Sequence, residues 1–529
     1  MRYMPLIILL GVAFSQLPFN YELIRTSDLG RFESFSDTGL ASNGIMDIRS
    51  YNDSLLFFGT GSGLSFAELS NPSSIQYGHF TIEELPVGGN PALAIGHGII
   101  AVSGVLDTTV FTGSEPRGTG ISYSRNGGES WTYLPQPIDS LPDESANGYQ
   151  TIIWGNQEIL TLAITTDIDN VSYDISVGSQ YIYTANWAGG IRRYNHLPTA
   201  GETKNWEIIP LPKDNDLDLY CGEIDIEVYK INPKDPVDGG NHNHKGFGVY
   251  VLDDTLWVGT AAGINKGIIS SDNCINWVRH YQSGLDNISG NWVIGFTHQE
   301  MDGFIRLWAI TWATQYPETH SLSYTDNGGE SWHITNPLGN ESGKVYNVTA
   351  HEDSIWASTE IGLYLTLDGE HWEKYDRPVD IETGEEILSE AVFSTYYSQS
   401  HQILWVGTGD GMALINEATI VTRFWDSPAP FSAYPNPFLI NDYNQIGNNG
   451  YMRFVYSNPN EHTGKIDVFD FAMDQIIHLN NPNPFSLNGD NEMIWNGRNE
   501  YGDKVANGVY FCRLSLNGKY YWTKLAVIN

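Results

Sequence analysis

The chain has 529 residues, with 54 Gly, 24 Pro and 16 Trp, and 63 acidic against 27 basic residues give it a formal net charge of -36. It is too long for one ordinary core and too aromatic for disorder, so two or three domains are expected. The acidic excess is spread along the chain, which makes it a surface property and excludes nucleic acid or an anionic membrane as the natural partner.

In chain order, Arg2 precedes the apolar run Met4 to Phe14, which ends in small residues before Gln16. This reads as a secretory signal peptide over residues 1–16, because the run is about half the length that spans a bilayer. No comparable run follows, so no transmembrane segment is expected in the mature chain. Without a Cys at the cleavage site, a lipid anchor is disfavoured. The three Cys (Cys221, Cys274 and Cys512) are too few for a disulfide framework; a Cys221–Cys274 bridge and three separate buried thiols both stay open.

Self-similarity decides the fold over residues 17–425. DSLLFFGTGSGLSF (53–66), DTLWVGTAAGINKG (254–267), DSIWASTEIGLYLT (353–366) and QILWVGTGDGMALI (402–415) each read as strand, Thr, Gly turn, strand. Thr60, Thr260, Thr359 and Thr408 are spaced by 200, 99 and 49 residues, near four, two and one units of fifty. Thr311 fits the same ruler, and IIAVSG (99–104) and YIYTANWAGG (181–190) are looser copies. About fifty residues suit a four-stranded propeller blade. The chain is therefore expected to be all-β, a single β-propeller followed by a small immunoglobulin-like β-sandwich. Seven blades is the best count, with six or eight open because Gly148 to Thr166 is not absorbed. Ring closure is expected to pair Arg31–Phe35 with Thr419–Trp425, and Pro212 to Gly246 to form a long loop on one face.

SRNGGESW (124–131) and TDNGGESW (325–332) share a second pattern, built on Ser124, Asn126, Gly128 and Trp131 and on Thr325, Asn327, Gly329 and Trp332. SSDNCINW keeps Ser270, Asp272 and Trp277 with Cys274 in place of Gly. TLDGEHW keeps Asp368 and Trp372 but is one residue short. These resemble the Asp-box, or BNR, motif of sialidase-like and VPS10/sortilin-like propellers. The resemblance implies a structural hairpin between outer strands, away from any substrate pocket.

Residues 426–433 are Pro-rich and read as a linker. The stretches YPNPF (434–438), KIDVFDFAMDQIIHL (465–479) and WNGRNEYGDKVANGVYFCRL (495–514) then resemble the FlgD-like immunoglobulin fold, which overlaps the sorting domain of type IX secretion substrates. That resemblance covers 434–529 and implies outer-membrane export or surface attachment through secretion machinery. Asn496 and Cys512 depart from the family's Asp and Tyr, and Gly497, Gly502 and Gly508 are expected to be its turn glycines.

Chemistry-bearing residues are few. Nine Arg between residues 40 and 425, with no FRIP-like opening, argue against a sialidase, and no carboxylate pair stands out for another glycosidase. Asp214, Asp216 and Asp218 have the alternate spacing of a calcium loop, although Leu219 stands where an EF-hand needs Gly; no other cofactor is implied. His242 and His244 lack a third zinc ligand. Trp187, Trp292, Trp308 and Trp312, with Asn186, lie in or beside inner strands, where a propeller builds its ligand mouth; filling the wedge between blades is the competing role. The expectation is a secreted or cell-surface module that binds protein or polysaccharide without catalysis. A glycoside hydrolase and a docking factor for a secretion or membrane complex are the alternatives.

Overall fold

The computed structural model describes residues 39–529, apart from 53, 72–73, 111–112, 140–147, 198–204, 336–342, 376, 379–385, 417–418, 423–430, 442–448, 458–463 and 481–489. The signal peptide and Arg31–Phe35 lie outside the described residues. Seven antiparallel four-stranded meanders follow one another: Ile45–His79, Leu93–Leu134, Ser172–Ile209, Gly246–Tyr281, Trp292–Ile334, Val345–Tyr375 and Val392–Thr422, here blades 1 to 7. The first strand of each blade packs on the first strand of the next, and Ile45–Asn52 packs on Val392–Ser398 to close the ring. The protein is all-β, and its repeat is a seven-bladed β-propeller.

Polar ties join the inner strands, where a ladder cannot. Asp174 of blade 3 accepts the Val249 amide of blade 4 at 2.9 Å, Thr349 donates to the Thr395 carbonyl at 2.7 Å, and Ser394 donates across the closing seam to the Ile45 carbonyl at 3.4 Å. Burial pushes the Asp174 carboxyl up to about 7, against the lowering effect of its amide donors and Arg49.

The threonine ruler has a mechanical cause. Thr60, Thr260, Thr359 and Thr408 end the second strand of blades 1, 4, 6 and 7, and each hydroxyl donates to the carbonyl of the Gly three residues on, at 2.7–3.1 Å. The same oxygen accepts the amide two residues on, so one fully buried side chain closes the turn. Thr311 bonds the Ser321 carbonyl instead, because the chain detours through 313–320.

Two features correct the sequence reading. The 200-residue gap from Thr60 to Thr260 spans three blade steps, not four. The surplus is a three-stranded sheet outside the ring, in which the hairpin Tyr149–Trp154 and Gln157–Leu162 pairs in parallel with Lys230–Ile231. The expected loop from Pro212 to Gly246 therefore holds that strand and two short 3-10 helices, Pro236–Asp238 and His242–His244. Cys221 in this insertion is disulfide-bonded to Cys274 in blade 4, with Cα atoms 6.2 Å apart. A side chain at Gly155, in the hairpin turn, would collide with the Cys221 sulfur, so the extra sheet sits directly on the bridge.

The repeated turns join the third and fourth strands. Ser124 and Thr325 donate to Asn126 and Asn327 at 3.0 and 2.9 Å and accept the amides of Gly128 and Gly329 at 2.9 and 2.8 Å. Those glycines have φ of 94° and 90°, and each lies against aromatics of the preceding blade. Trp131 meets Phe80 edge-on at 5.7 Å, and Trp332 meets Trp257 at 5.9 Å. The shorter turn keeps the pattern: Thr366 donates to Asp368, and Trp372 packs into the junction of blades 5 and 6. The turn with Cys274 differs. Asp272 accepts the Cys274 amide at 3.1 Å, whereas Trp277 lies inside a strand, fully buried under the insertion, and donates to the Pro210 carbonyl at 2.6 Å. Cys274 replaces the turn glycine because the insertion is pinned there.

A sandwich follows the ring. Its sheets are Phe431–Tyr434, Met452–Ser457 and Asp490–Trp495, and a five-stranded sheet centred on Gly508–Leu516. The first strand already begins at Phe431, inside the stretch read as linker. Phe438, Phe454, Trp495, Cys512 and Leu525 fill the core, and burial pushes the Cys512 thiol up to about 12. Gly497 and Gly502 have positive φ, as turn glycines do; Gly508 instead opens a strand. Asn496 accepts the Arg498 amide at 3.2 Å, the local bond an Asp would make.

The sandwich is docked on the ring. Arg453, with 3% of its side chain exposed, bonds Asp410 of blade 7 at 2.7 Å, where Asp410 is fully buried. It also bonds Glu492 at 2.7 Å and the Glu386 carbonyl at 2.8 Å, while the Tyr434 hydroxyl reaches Asp410 at 3.2 Å. Among the described residues, no helix is long and apolar enough to cross a membrane.

Candidate binding cleft at the mouth of the ring

In blades 1 and 3 to 7 the turn after the second strand lies beside the start of the first, as the pairings Ile45–Thr60, Ser172–Asn186, Gly246–Thr260, Trp292–Trp312, Val345–Thr359 and Val392–Thr408 show. These turns therefore share one end of the ring. At blades 3, 4 and 5 they enclose a cleft of about 510 Å³, lined among others by Trp187, Ala261, Ala262, Ala313 and Thr314 from the turns and by Trp292 at the start of blade 5. The small Ala side chains leave the space.

Its wall is aromatic. Trp187 stacks on Trp292 with ring centres 5.8 Å apart, and the buried Phe247 backs both at 5.0 and 4.8 Å, so blades 3 and 5 give the lining rings and blade 4 the one behind them. Trp187 is half-buried and Trp292 is 5% exposed. The other two predicted residues are placed elsewhere. Trp308 is fully buried mid-strand, donates to Gln299 at 3.1 Å and packs on Tyr324 in the wedge between blades 5 and 6. Trp312 is 1% exposed and donates to the Val345 carbonyl at 2.7 Å, sealed between the same two blades. Both therefore serve the packing role. Asn186 is likewise buried, holding Ser172 and Thr184 beneath the turn.

The insertion supplies the opposite wall through Asp214, Asn215 and His242. The calcium triplet does not converge. Asp214 accepts the His242 and Asn243 amides at 3.1 and 2.7 Å, capping the short helix, and Asp216 pairs with Lys213 at 3.4 Å. Among the described residues, no three His, Cys, Asp or Glu side chains are grouped as a metal would need. The two histidines also separate. His244 is buried, and desolvation lowers its imidazole to about 4 against the raising effect of its bonds to the Leu211 carbonyl and the Asn232 backbone. His242 faces the cleft, lowered by burial and by Lys245, whose ammonium lies 3.4 Å from its Nδ1 and 4.8 Å over the Trp187 ring.

The rim is fixed from behind by Glu318. It accepts from Ser283 at 2.8 Å, from the Asn291 side chain at 2.6 Å and from the Thr314 hydroxyl at 2.8 Å. The Gln282 side chain donates to the Asp214 carbonyl. Asn215 and Gln315 are exposed on opposite sides, and their side chains make no hydrogen bond to the described protein. The sequence reading missed these polar residues. The one signal was the long spacing between Thr311 and Ser321, which carries Thr314, Gln315 and Glu318.

The chain is thus a seven-bladed propeller with a docked β-sandwich and a preorganised cleft at one mouth. No family model and no curated protein matches it. It is similar in fold to solved structures at low identity. One is PorZ, described as an essential surface component of the type-IX secretion system of Porphyromonas gingivalis, with 13% identity, 90% of this chain covered and a TM-score of 0.36. The match spans 64% of that chain, so less than two thirds of its length. Others are the propeller domain of Myceliophteria thermophila Cps50 (Swd1), at 12% identity, 74% of this chain, 100% of that chain and a TM-score of 0.42, and the WD40 propeller domain of Doa1, at 10%, 72%, 95% and 0.37.

Proposed function

We propose that this protein is an exported, cell-surface or secreted recognition module that holds a protein or polysaccharide ligand in the cleft between blades 3, 4 and 5 and does not turn it over. The carrying observation is the cleft itself: a wall of Trp187 and Trp292 backed by Phe247, and a polar rim held in place by Glu318 before any ligand arrives. Export rests on the Met4 to Phe14 run and on the resemblance of the C-terminal sandwich to sorting domains. In this reading the turns at Ser124, Thr325 and Thr366 are structural Asp-boxes and calcium has no part in the cleft.

Binding is favoured over a paired-carboxylate hydrolase because Asp214 is the single carboxylate among the described lining residues, and both its oxygens already accept backbone amides. Protein and glycan arrays probed with the full chain and with Trp187→Ala test the reading. The expected result is a retained ligand that the variant loses, with no reducing ends released. Retention indifferent to Trp187→Ala, or release of reducing ends by the wild type, would overturn it.

A further inference from the structure

Resting on the recognition reading, we infer that the cleft takes a short segment of a neutral polysaccharide. A sugar ring has an apolar C–H face and a hydroxyl edge, and the cleft offers both complements. Trp187 lines the cleft half-buried, its ring held by Trp292 and Phe247 with the Lys245 ammonium 4.8 Å from its centre, so its remaining exposed edge and face give the apolar contact. Asn215 and Gln315 carry donor and acceptor on one planar group, unspent on the protein, which matches hydroxyls that donate and accept together.

Charge excludes the acidic alternatives. The lining carries Asp214, Glu318 stands directly behind Asn291 and Thr314, and the chain as a whole is at -36. A uronate or sulfated chain would work against that net negative charge. Of the nearby cations among the described residues, Lys213 pairs with Asp216 at 3.4 Å, and Lys245 is 7% exposed, already lies over Trp187 and against His242, and has its hold on a proton weakened by burial. The volume, about 510 Å³, is that of a small-molecule site, so it suits a few sugar units rather than a folded surface.

The test is calorimetry of the full chain with soluble neutral glucans, mannans and xylans, and with polygalacturonate and alginate, at low and high salt. Neutral polysaccharide is expected to bind with little salt dependence. Asn215→Ala and Gln315→Ala, which sacrifice no bond within the described protein, should each weaken it about threefold to tenfold, and Trp187→Ala more than tenfold. Trp187-dependent binding of only acidic polymer or of protein overturns the neutral-sugar assignment and leaves the recognition reading standing. Failure of every neutral polysaccharide to bind also overturns the assignment, and absence of any Trp187-dependent ligand on the arrays overturns both.

Discussion

Blades 4 and 7 build the same turn and use it for opposite ends. In both, a buried Thr closes the second strand on a Gly three residues later. Blade 4 places Ala261 and Ala262 between them, and the result is open space at the mouth. Blade 7 places Asp410 there, and its carboxylate takes Arg453, Tyr434 and the Leu388 amide, so the sandwich sits where a ligand would otherwise reach. The lesson is that a repeat fixes the scaffold through one hydroxyl and leaves the adjacent side chain free to define an open site or a permanent contact.

The largest expected effect comes from breaking the blade 7 contact. Arg453→Met strands a fully buried carboxylate and should cost about 3–5 kcal/mol in denaturant unfolding of the full chain. Adding Asp410→Leu should recover part of that loss; no recovery would mean that the pair is not what docks the sandwich. On the blade 4 side, replacing Cys221 and Cys274 by Ser should cost about 2–4 kcal/mol, because the bridge closes a loop of 53 residues. Reductant should lower the wild type toward the variant and leave the variant unchanged.

A smaller effect concerns the inner strands that carry both turns. The Asp174 carboxyl is raised to about 7 from the ordinary 3.8, so the fold binds a proton that the unfolded chain releases. Its ionisation therefore costs stability as pH rises through 7, and the cost disappears as pH falls. The stability difference between wild type and Asp174→Asn should change by about 1 kcal/mol between pH 6 and pH 8, with the wild type relatively better at pH 6. A pH-independent difference would assign Asp174 no titration there. The shared element itself gives the smallest change: Thr359→Val removes one hydroxyl with two bonds and should cost about 0.5–1.5 kcal/mol in the same unfolding assay.

The repeat was legible because the closing Thr and the Gly turn are local, and a local requirement leaves a local trace. The blade count was ambiguous because the extra sheet is made of ordinary strand residues, and its parallel partner Lys230–Ile231 comes from far along the chain. Trp187 and Trp292 could be nominated but not separated from Trp308 and Trp312. All four sit in or beside inner strands, and only the neighbouring blade decides which ring is covered. The Cys pair was visible as an option; the reason for it, a turn glycine traded for a tether, needed the insertion in place. Glu318 was marked only by the long spacing between Thr311 and Ser321, since its partners Ser283 and Asn291 come from the connection before blade 5 and Thr314 from its own turn.

Hydrogen exchange of the full chain with and without the bound polysaccharide tests the central claim most directly. Added protection is expected around residues 213–215, 282 and 313–318, with the blade 7 turn at 409–411 unchanged and no reducing ends formed during the experiment. Protection confined to blades 6, 7 and 1 or to the sandwich, with the cleft segments unchanged, would contradict it.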